Sequence, residues 1–146
     1  MALLFDSVVV PEVAVQNSEL RYPVRRIYCV GQNYRDHVAE MGGDPELSPP
    51  VFFSKPADAV LASGSCIAFP SATANLHYEA ELVVALKSGG SELDVRHALE
   101  CIYGYAVGID FTRRDLQAEA KQKGRPWDTA KGFDASAPLS SIKQAE

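Results

Sequence analysis

Three acids interrupt runs of apolar residues in this chain. Glu79 and Glu81 lie within Tyr-Glu-Ala-Glu-Leu-Val-Val-Ala-Leu (78–86), and Asp110 directly follows Tyr-Gly-Tyr-Ala-Val-Gly-Ile (103–109). On a strand, residues two apart share a face, so Glu79 and Glu81 stand roughly 6 to 7 Å apart along it. Carboxylates that converge in a pocket repel each other, which raises their pKa values or calls for a cation. A hard divalent ion such as Mg²⁺, bound through oxygen, removes that cost and keeps positions open for water and substrate. The same pattern also suits a solvated strand face at Glu79 and Glu81 and a turn or cap at Asp110. Spacing alone leaves both readings open.

Other residues could act beside such a centre. His37 and Glu40 fall at i and i+3, so on a helix they can touch. A carboxylate that orients an imidazole raises its basicity, which suits a base that activates water. An ordinary surface pair has the same spacing. Lys131, in Thr-Ala-Lys-Gly-Phe-Asp (129–134), could hold a carboxylate or oxyanion, or simply be an exposed loop lysine. Arg113 and Arg114 could hold an anionic substrate, or only solvate a helix start. A cation at a helix start opposes the helix dipole, which slightly favours a specific role. Gln117, one turn further on, could donate its amide to a ligand or be a solvated helix residue, the commoner case, and His77 could line the site or, more simply, be structural. No Gly-x-Ser-x-Gly, phosphate-binding or dinucleotide glycine pattern supports rival chemistry.

The elements that must position these groups can be read from periodicity. Residues 26–30 (Arg-Ile-Tyr-Cys-Val) read as a buried strand stopped by Gly31. Asn33 can cap a helix to Met41, with Tyr34, Val38 and Met41 on one stripe and Gly42-Gly43 as terminator. Residues 44–50 form a proline-rich loop. Strands are expected over 51–54 and 66–69, with a turn at 63–65. Residues 78–86 alternate as a strand, with Glu79, Glu81, Val83 and Ala85 on one face, although Ala and Glu would also suit a helix. Asp94 can cap a helix carrying Val95, Ala98, Leu99 and Ile102. A strand follows over 103–109. Thr112 and Asp115 resemble a capping box for a further helix that Gly124 ends, and Trp127 onward reads as loop. Short strands with few helices and no regular strand–helix alternation predict an α+β or mainly β fold.

The chain has 146 residues, 47% of them hydrophobic, 23% charged and 9% aromatic, which are globular values. Residues 1–23 read as a lead-in, and 24–146 as one domain. Fourteen Lys and Arg against 19 Asp and Glu give a formal charge of −5, so no basic footprint for nucleic acid is expected. No run approaches the ~20 apolar residues of a membrane span. The opening residues lack a basic leader, and Cys29, Cys66 and Cys101 have no paired spacing. A cytoplasmic protein with reduced thiols in its core is expected.

Several of these segments, taken in order, resemble the fumarylacetoacetate hydrolase family. They are Arg-Ile-Tyr-Cys-Val-Gly-Gln-Asn-Tyr (26–34) with His37 and Glu40-Met41, Phe-Ser-Lys-Pro (53–56), His-Tyr-Glu-Ala-Glu-Leu (77–82), Gly104-Tyr105 through Asp110, Thr-Arg-Arg-Asp-Leu-Gln (112–117), and Gly-Arg-Pro-Trp (124–127) through Lys-Gly-Phe-Asp (131–134). The likeness runs from about 21 to 139 and is strongest to the small acylpyruvate-cleaving members. It implies an α+β fold, a mixed β-roll with short flanking helices of the family's C-terminal-domain type, in a homodimer. It implies Mg²⁺ (or Mn²⁺ or Ca²⁺) on Glu79, Glu81 and Asp110. A lid pair falls on His37 and Glu40, and substrate contacts fall on Lys131 and Gln117. The implied reaction is hydrolysis of a carbon–carbon bond in a 2,4-dioxo acid such as fumarylpyruvate. Decarboxylases, hydratases and isomerases of the family use the same ion, and a non-catalytic binding fragment is the alternative of a different class. Gln32 stands where the family commonly has Arg. Relatives continue for roughly a further half-length, so only the front part of the domain is expected here.

Overall fold

The computed structural model describes residues 9–31 and 50–146. The predicted helix over 33–41, with His37 and Glu40, lies outside the described residues, as do Gln32 and most of the loop that follows.

Strands β1 (Glu12–Ala14) and β2 (Arg21–Pro23) form one antiparallel pair, and β3 (Ile27–Gly31) and β4 (Val51–Lys55) form another. The main sheet runs β5 (Val60–Ala62), β8 (Ala137–Leu139), β7 (Ile102–Arg113) and β6 (Leu76–Leu86), with β9 (Lys143–Gln144) also on β7. β5 and β8 are parallel, and β6 and β7 are antiparallel. Three short α-helices flank the sheets: α1 (Val95–Glu100), α2 (Arg114–Gln122) and α3 (Asp128–Lys131). Mixed sheets with few short helices meet the α+β expectation.

The long β6–β7 ladder is the frame of the molecule. The alternation read over 78–86 holds, and β6 starts two residues earlier. One face of the ladder is covered along β7. Gly104, Ala106, Gly108, Asp110 and Thr112 of β7 are all buried, and Ala85 and Val83 lie on the same face of β6. At one end this face carries the apolar core of Val13, Val24, Ala85, Ala106 and Ile142, with Tyr22, Val60, Tyr103 and Leu139 against it. At the other end it carries the acids. On the reverse face Tyr78, Leu82, Val84, Tyr105 and Val107 are exposed among the described residues.

The N-terminal strands are stitched to this core. Ile142 exchanges backbone bonds with Ala14 and Gln16, both 2.8 Å. The Tyr22 hydroxyl donates to the Leu86 carbonyl at 2.7 Å, and its ring stacks on Tyr103 at 5.8 Å. Gly108 sits where a Cβ would lie 2.7 Å from Val83 Cγ2 and 3.0 Å from Leu139 Cδ2, so the close approach of β7 to its neighbours requires glycine.

Several expectations need correction. Residues 66–69 form no strand; Cys66 and Phe69 are exposed, and the β5 segment at 60–62 takes the pairing with β8 instead. An apolar run becomes a strand only where a partner edge meets it. β7 extends four residues past 109 because β6 pairs with it along its full length, so Asp110 lies within the ladder and is no turn residue. Ile102 opens that strand and does not belong to α1, whose cap at Asp94 is as expected: its carboxylate accepts from the His97 amide at 2.9 Å. Thr112 is a fully buried strand residue, not a helix cap. Arg113 occupies the N-cap of α2 without a side-chain bond, and Asp115 accepts from Thr73 Oγ1 at 2.6 Å and the Ala74 amide at 2.9 Å. Gly124, at φ +60°, follows the end of α2 in the left-handed conformation a helix terminator needs. Beyond Trp127 the chain is not all loop, since α3 and β8 lie there.

Candidate active site

Register in the β6–β7 ladder sets the centre. Glu79 is the direct cross-strand partner of Asp110, and Glu81 is the partner of Gly108. Residues opposite one another on antiparallel strands share a face with Cβ atoms about 5 Å apart, so Glu79 and Asp110 project side by side. Glu81 lies on the same face, one pleat repeat toward the core, and is half-buried.

Lys131 is the last residue of α3 and is only 2% exposed, so the exposed-loop reading is wrong. Its helix is a single turn closed by the Gly132 amide on the Asp128 carbonyl at 2.7 Å. The ammonium reaches Glu79 Oε2 and Asp110 Oδ2, each at 2.6 Å, and Thr112 Oγ1 at 2.7 Å. It also lies 5.0 Å from the Phe53 ring centroid on β4.

Lys55, at the end of β4, is 4% exposed. Its ammonium donates to the Phe111 carbonyl at 3.1 Å and, through a short bond, to the Lys131 carbonyl. It lies 2.8 Å from Asp110 Oδ1. That contact pairs the Lys55 charge directly with Oδ1. Arg114, at the start of α2, makes a short ion pair with Glu79 Oε1 and donates to Gln117 Oε1 at 2.6 Å. Gln117 is 4% exposed and thus turns into the cluster, although here its amide oxygen accepts.

Buried charges persist only when paired. Burial pushes the Glu79 carboxyl up, but the bonds and charges of Lys131 and Arg114 outweigh it and hold the group below its ordinary value. Burial lowers the pKa of Lys55, opposed by the charge of Asp110 and its contact with it. Cys29 on β3 feels the same cluster. Its thiol is pushed up to about 11, by burial first and Asp110 next, so it is a neutral wall and no nucleophile.

The structure brings Glu79, Asp110, Lys131 and Gln117 together, with Glu81 on the same sheet face. His37 and Glu40 lie outside the described residues. His77 is exposed, opposite Thr112. Arg113 stacks over Phe133 at 4.2 Å and donates to the Thr129 carbonyl at 3.1 Å, which makes it structural. Lys55 and Cys29 are additions to the predicted set. Lys55 lay within the Phe-Ser-Lys-Pro motif, yet a strand-end lysine followed by Pro56 carries no local signal of burial.

The fit of a divalent ion can be judged from the donors. Among the described residues no three acidic, His or Cys side chains are already arranged around one point. The Lys131 ammonium stands between Glu79 and Asp110. The donor chemistry nevertheless suits a hard cation: two carboxylates in direct register and a third on the same face. Three carboxylates (Glu79, Glu81, Asp110) stand against three cations (Lys55, Lys131, Arg114), so these six cancel formally. A bound divalent ion makes the cluster net positive, which favours an anionic ligand.

Residues 26–146 match the family model for the fumarylacetoacetate (FAA) hydrolase C-terminal domain. The chain is 49% identical to a crystal structure of fumarylpyruvate hydrolase from Pseudomonas aeruginosa in complex with Mn²⁺ and pyruvate. The two superpose with a TM-score of 0.93 over 99% of this chain and 64% of that one. The chain is also 44% identical to the mitochondrial oxaloacetate tautomerase of Homo sapiens, over 84% of this chain and 55% of the relative. It is 41% identical to the oxaloacetate tautomerase of Escherichia coli, over 87% and 58%. The chain thus spans little more than half the length of these curated relatives.

Proposed function

Because the chain belongs to the fumarylacetoacetate hydrolase family, we propose that the Glu79–Asp110–Lys131 cluster is the reaction centre of a divalent-metal-dependent hydrolase. It would cleave a carbon–carbon bond of a 2,4-dioxo acid, with fumarylpyruvate going to fumarate and pyruvate. The observation that carries this reading is the register that sets Glu79 against Asp110 inside a ring of Lys131, Lys55 and Arg114. The likeness to a fumarylpyruvate hydrolase crystallised with Mn²⁺ and pyruvate supports it.

Glu79, Glu81 and Asp110 would hold Mg²⁺, Mn²⁺ or Ca²⁺, which supplies Lewis-acid polarisation of a bound oxo group. Lys131 and Arg114 would bind carboxylate or oxyanion oxygens, and their burial strengthens that attraction. Gln117 would orient the substrate beside Arg114. His37, held by Glu40, would take the proton from the attacking water, as the family resemblance implies. Neutral Cys29 would close one wall. The working form would be a cytoplasmic homodimer.

A second reading has its own support, since the curated relatives include oxaloacetate tautomerases. Moving one proton between carbon and oxygen of a 2-oxo diacid needs the same cations but no water attack. Assays of fumarylpyruvate and of oxaloacetate, each with and without EDTA, separate the two. EDTA-sensitive release of fumarate and pyruvate is the expected result. Enol–keto interconversion of oxaloacetate without fumarylpyruvate cleavage replaces the hydrolase with the tautomerase. Neither activity leaves a binding role.

A further inference from the structure

The three cations around the acids do not have equivalent partners. Lys55 shares its ammonium with the carbonyls of Phe111 and Lys131, and approaches only Asp110 Oδ1. Arg114 holds only the outer oxygen of Glu79, Oε1. Among the described residues Lys131 alone bridges the two acids, through Glu79 Oε2 and Asp110 Oδ2, each at 2.6 Å. Its third donor goes to Thr112 Oγ1 at 2.7 Å, and none of its ammonium hydrogen bonds is to a carbonyl. A cation shared by Glu79 and Asp110 would compete with Lys131 for these acids. A divalent ion needs their oxygens at roughly 2.0 to 2.6 Å. It cannot sit there beside an ammonium on the same carboxylates without a like charge at close range.

We propose that Lys131 and the divalent ion are alternative occupants of the space between Glu79 and Asp110, so that the ion enters by displacing the Lys131 ammonium and releases it toward the substrate. This rests on the divalent-ion reading of the site given above. The displaced ammonium keeps Thr112 as a partner and gains two free donors, enough to hold one carboxylate or oxyanion. Ion loading and anion binding are thereby coupled through one side chain. Lys55 and Arg114 each pair with one of the two acids and bridge neither.

The test is calorimetric titration with Mn²⁺ of the wild-type chain, Lys131→Met and Arg114→Met. Lys131→Met is expected to bind Mn²⁺ about tenfold more tightly or better, the scale of removing one competing charge at ion-pair distance. Arg114→Met is expected to show no comparable gain. Mn²⁺ binding to the wild type with equal or weaker binding to Lys131→Met overturns the exchange and leaves the ion reading standing. An equal gain in both variants also overturns it, since a general field would then explain the effect. Failure of both the wild type and Lys131→Met to bind Mn²⁺ overturns the ion reading itself. Should Lys131→Met not fold, crystals of the wild type with and without Mn²⁺ decide. Nζ more than 4 Å from Glu79 Oε2 beside the bound ion supports exchange, and Nζ still bridging both acids refutes it.

Discussion

Asp110→Asn is the most revealing single change to the stability of this site. Asp110 is 7% exposed and faces two lysines that are themselves 4% and 2% exposed. Their nitrogens lie 2.8 and 2.6 Å from its two oxygens. Asparagine keeps the volume, so no cavity term enters; the charge is lost, and one acceptor oxygen becomes an amide donor facing a lysine ammonium. Removing one member of a buried pair costs about 3 to 5 kcal/mol, because the partner is left charged and uncompensated. Glu79 still compensates Lys131, so the low end applies, about 3 kcal/mol at neutral pH. For a domain of this size that is a fall in Tm of roughly 6 to 12 °C. Urea unfolding should show a lower midpoint at unchanged slope. The penalty should shrink at alkaline pH, since burial already lowers the pKa of Lys55 and the variant sheds that proton more easily. Combining Asp110→Asn with Lys131→Met should cost less than the sum of the two, by about 1 kcal/mol or more. A single-variant loss under about 1 kcal/mol, or strict additivity, would refute the claim that these charges hold one another in the interior.

Two further predictions follow from the ladder. Glu79 is held below its ordinary value of 4.5, so the unfolded chain binds its proton first. Its stabilisation is complete above that value and is lost as pH falls through the lower folded value. Urea midpoints measured from pH 6 down should therefore fall less steeply for Glu79→Gln below about pH 5, and superimposable acid limbs would sink the pairing. Gly108→Ala forces a Cβ to 2.7 Å from Val83 Cγ2 and 3.0 Å from Leu139 Cδ2. It should cost about 1 to 3 kcal/mol in chemical denaturation, and a neutral result would show that β7 can move away from its neighbours.

Much of this was legible from local pattern. The alternation in 78–86 fixed which residues share a face with Glu79 and Glu81, because side-chain direction on a strand has period two whatever surrounds it. The Asp94 cap and the Gly124 terminator were equally readable, since each works within a few residues of chain. The ordered motifs located the family and the acids, lysine and glutamine of the site.

Other features belong to tertiary structure alone. Asp110 could be read as a metal ligand or as a turn or cap, and only the pairing of β6 with β7 past it removes the turn reading. Residues 66–69 read as a strand, but no neighbouring edge takes them up among the described residues. At Lys131 local pattern left an anion-holding role and a solvated loop lysine both open, and nothing local marks Lys55 as buried. Both became interior charges only because Glu79 and Asp110, remote in sequence, were waiting in register on one sheet face. A strand's facing is written in adjacent residues, whereas the burial of a charge depends on counter-charges that only long-range packing delivers.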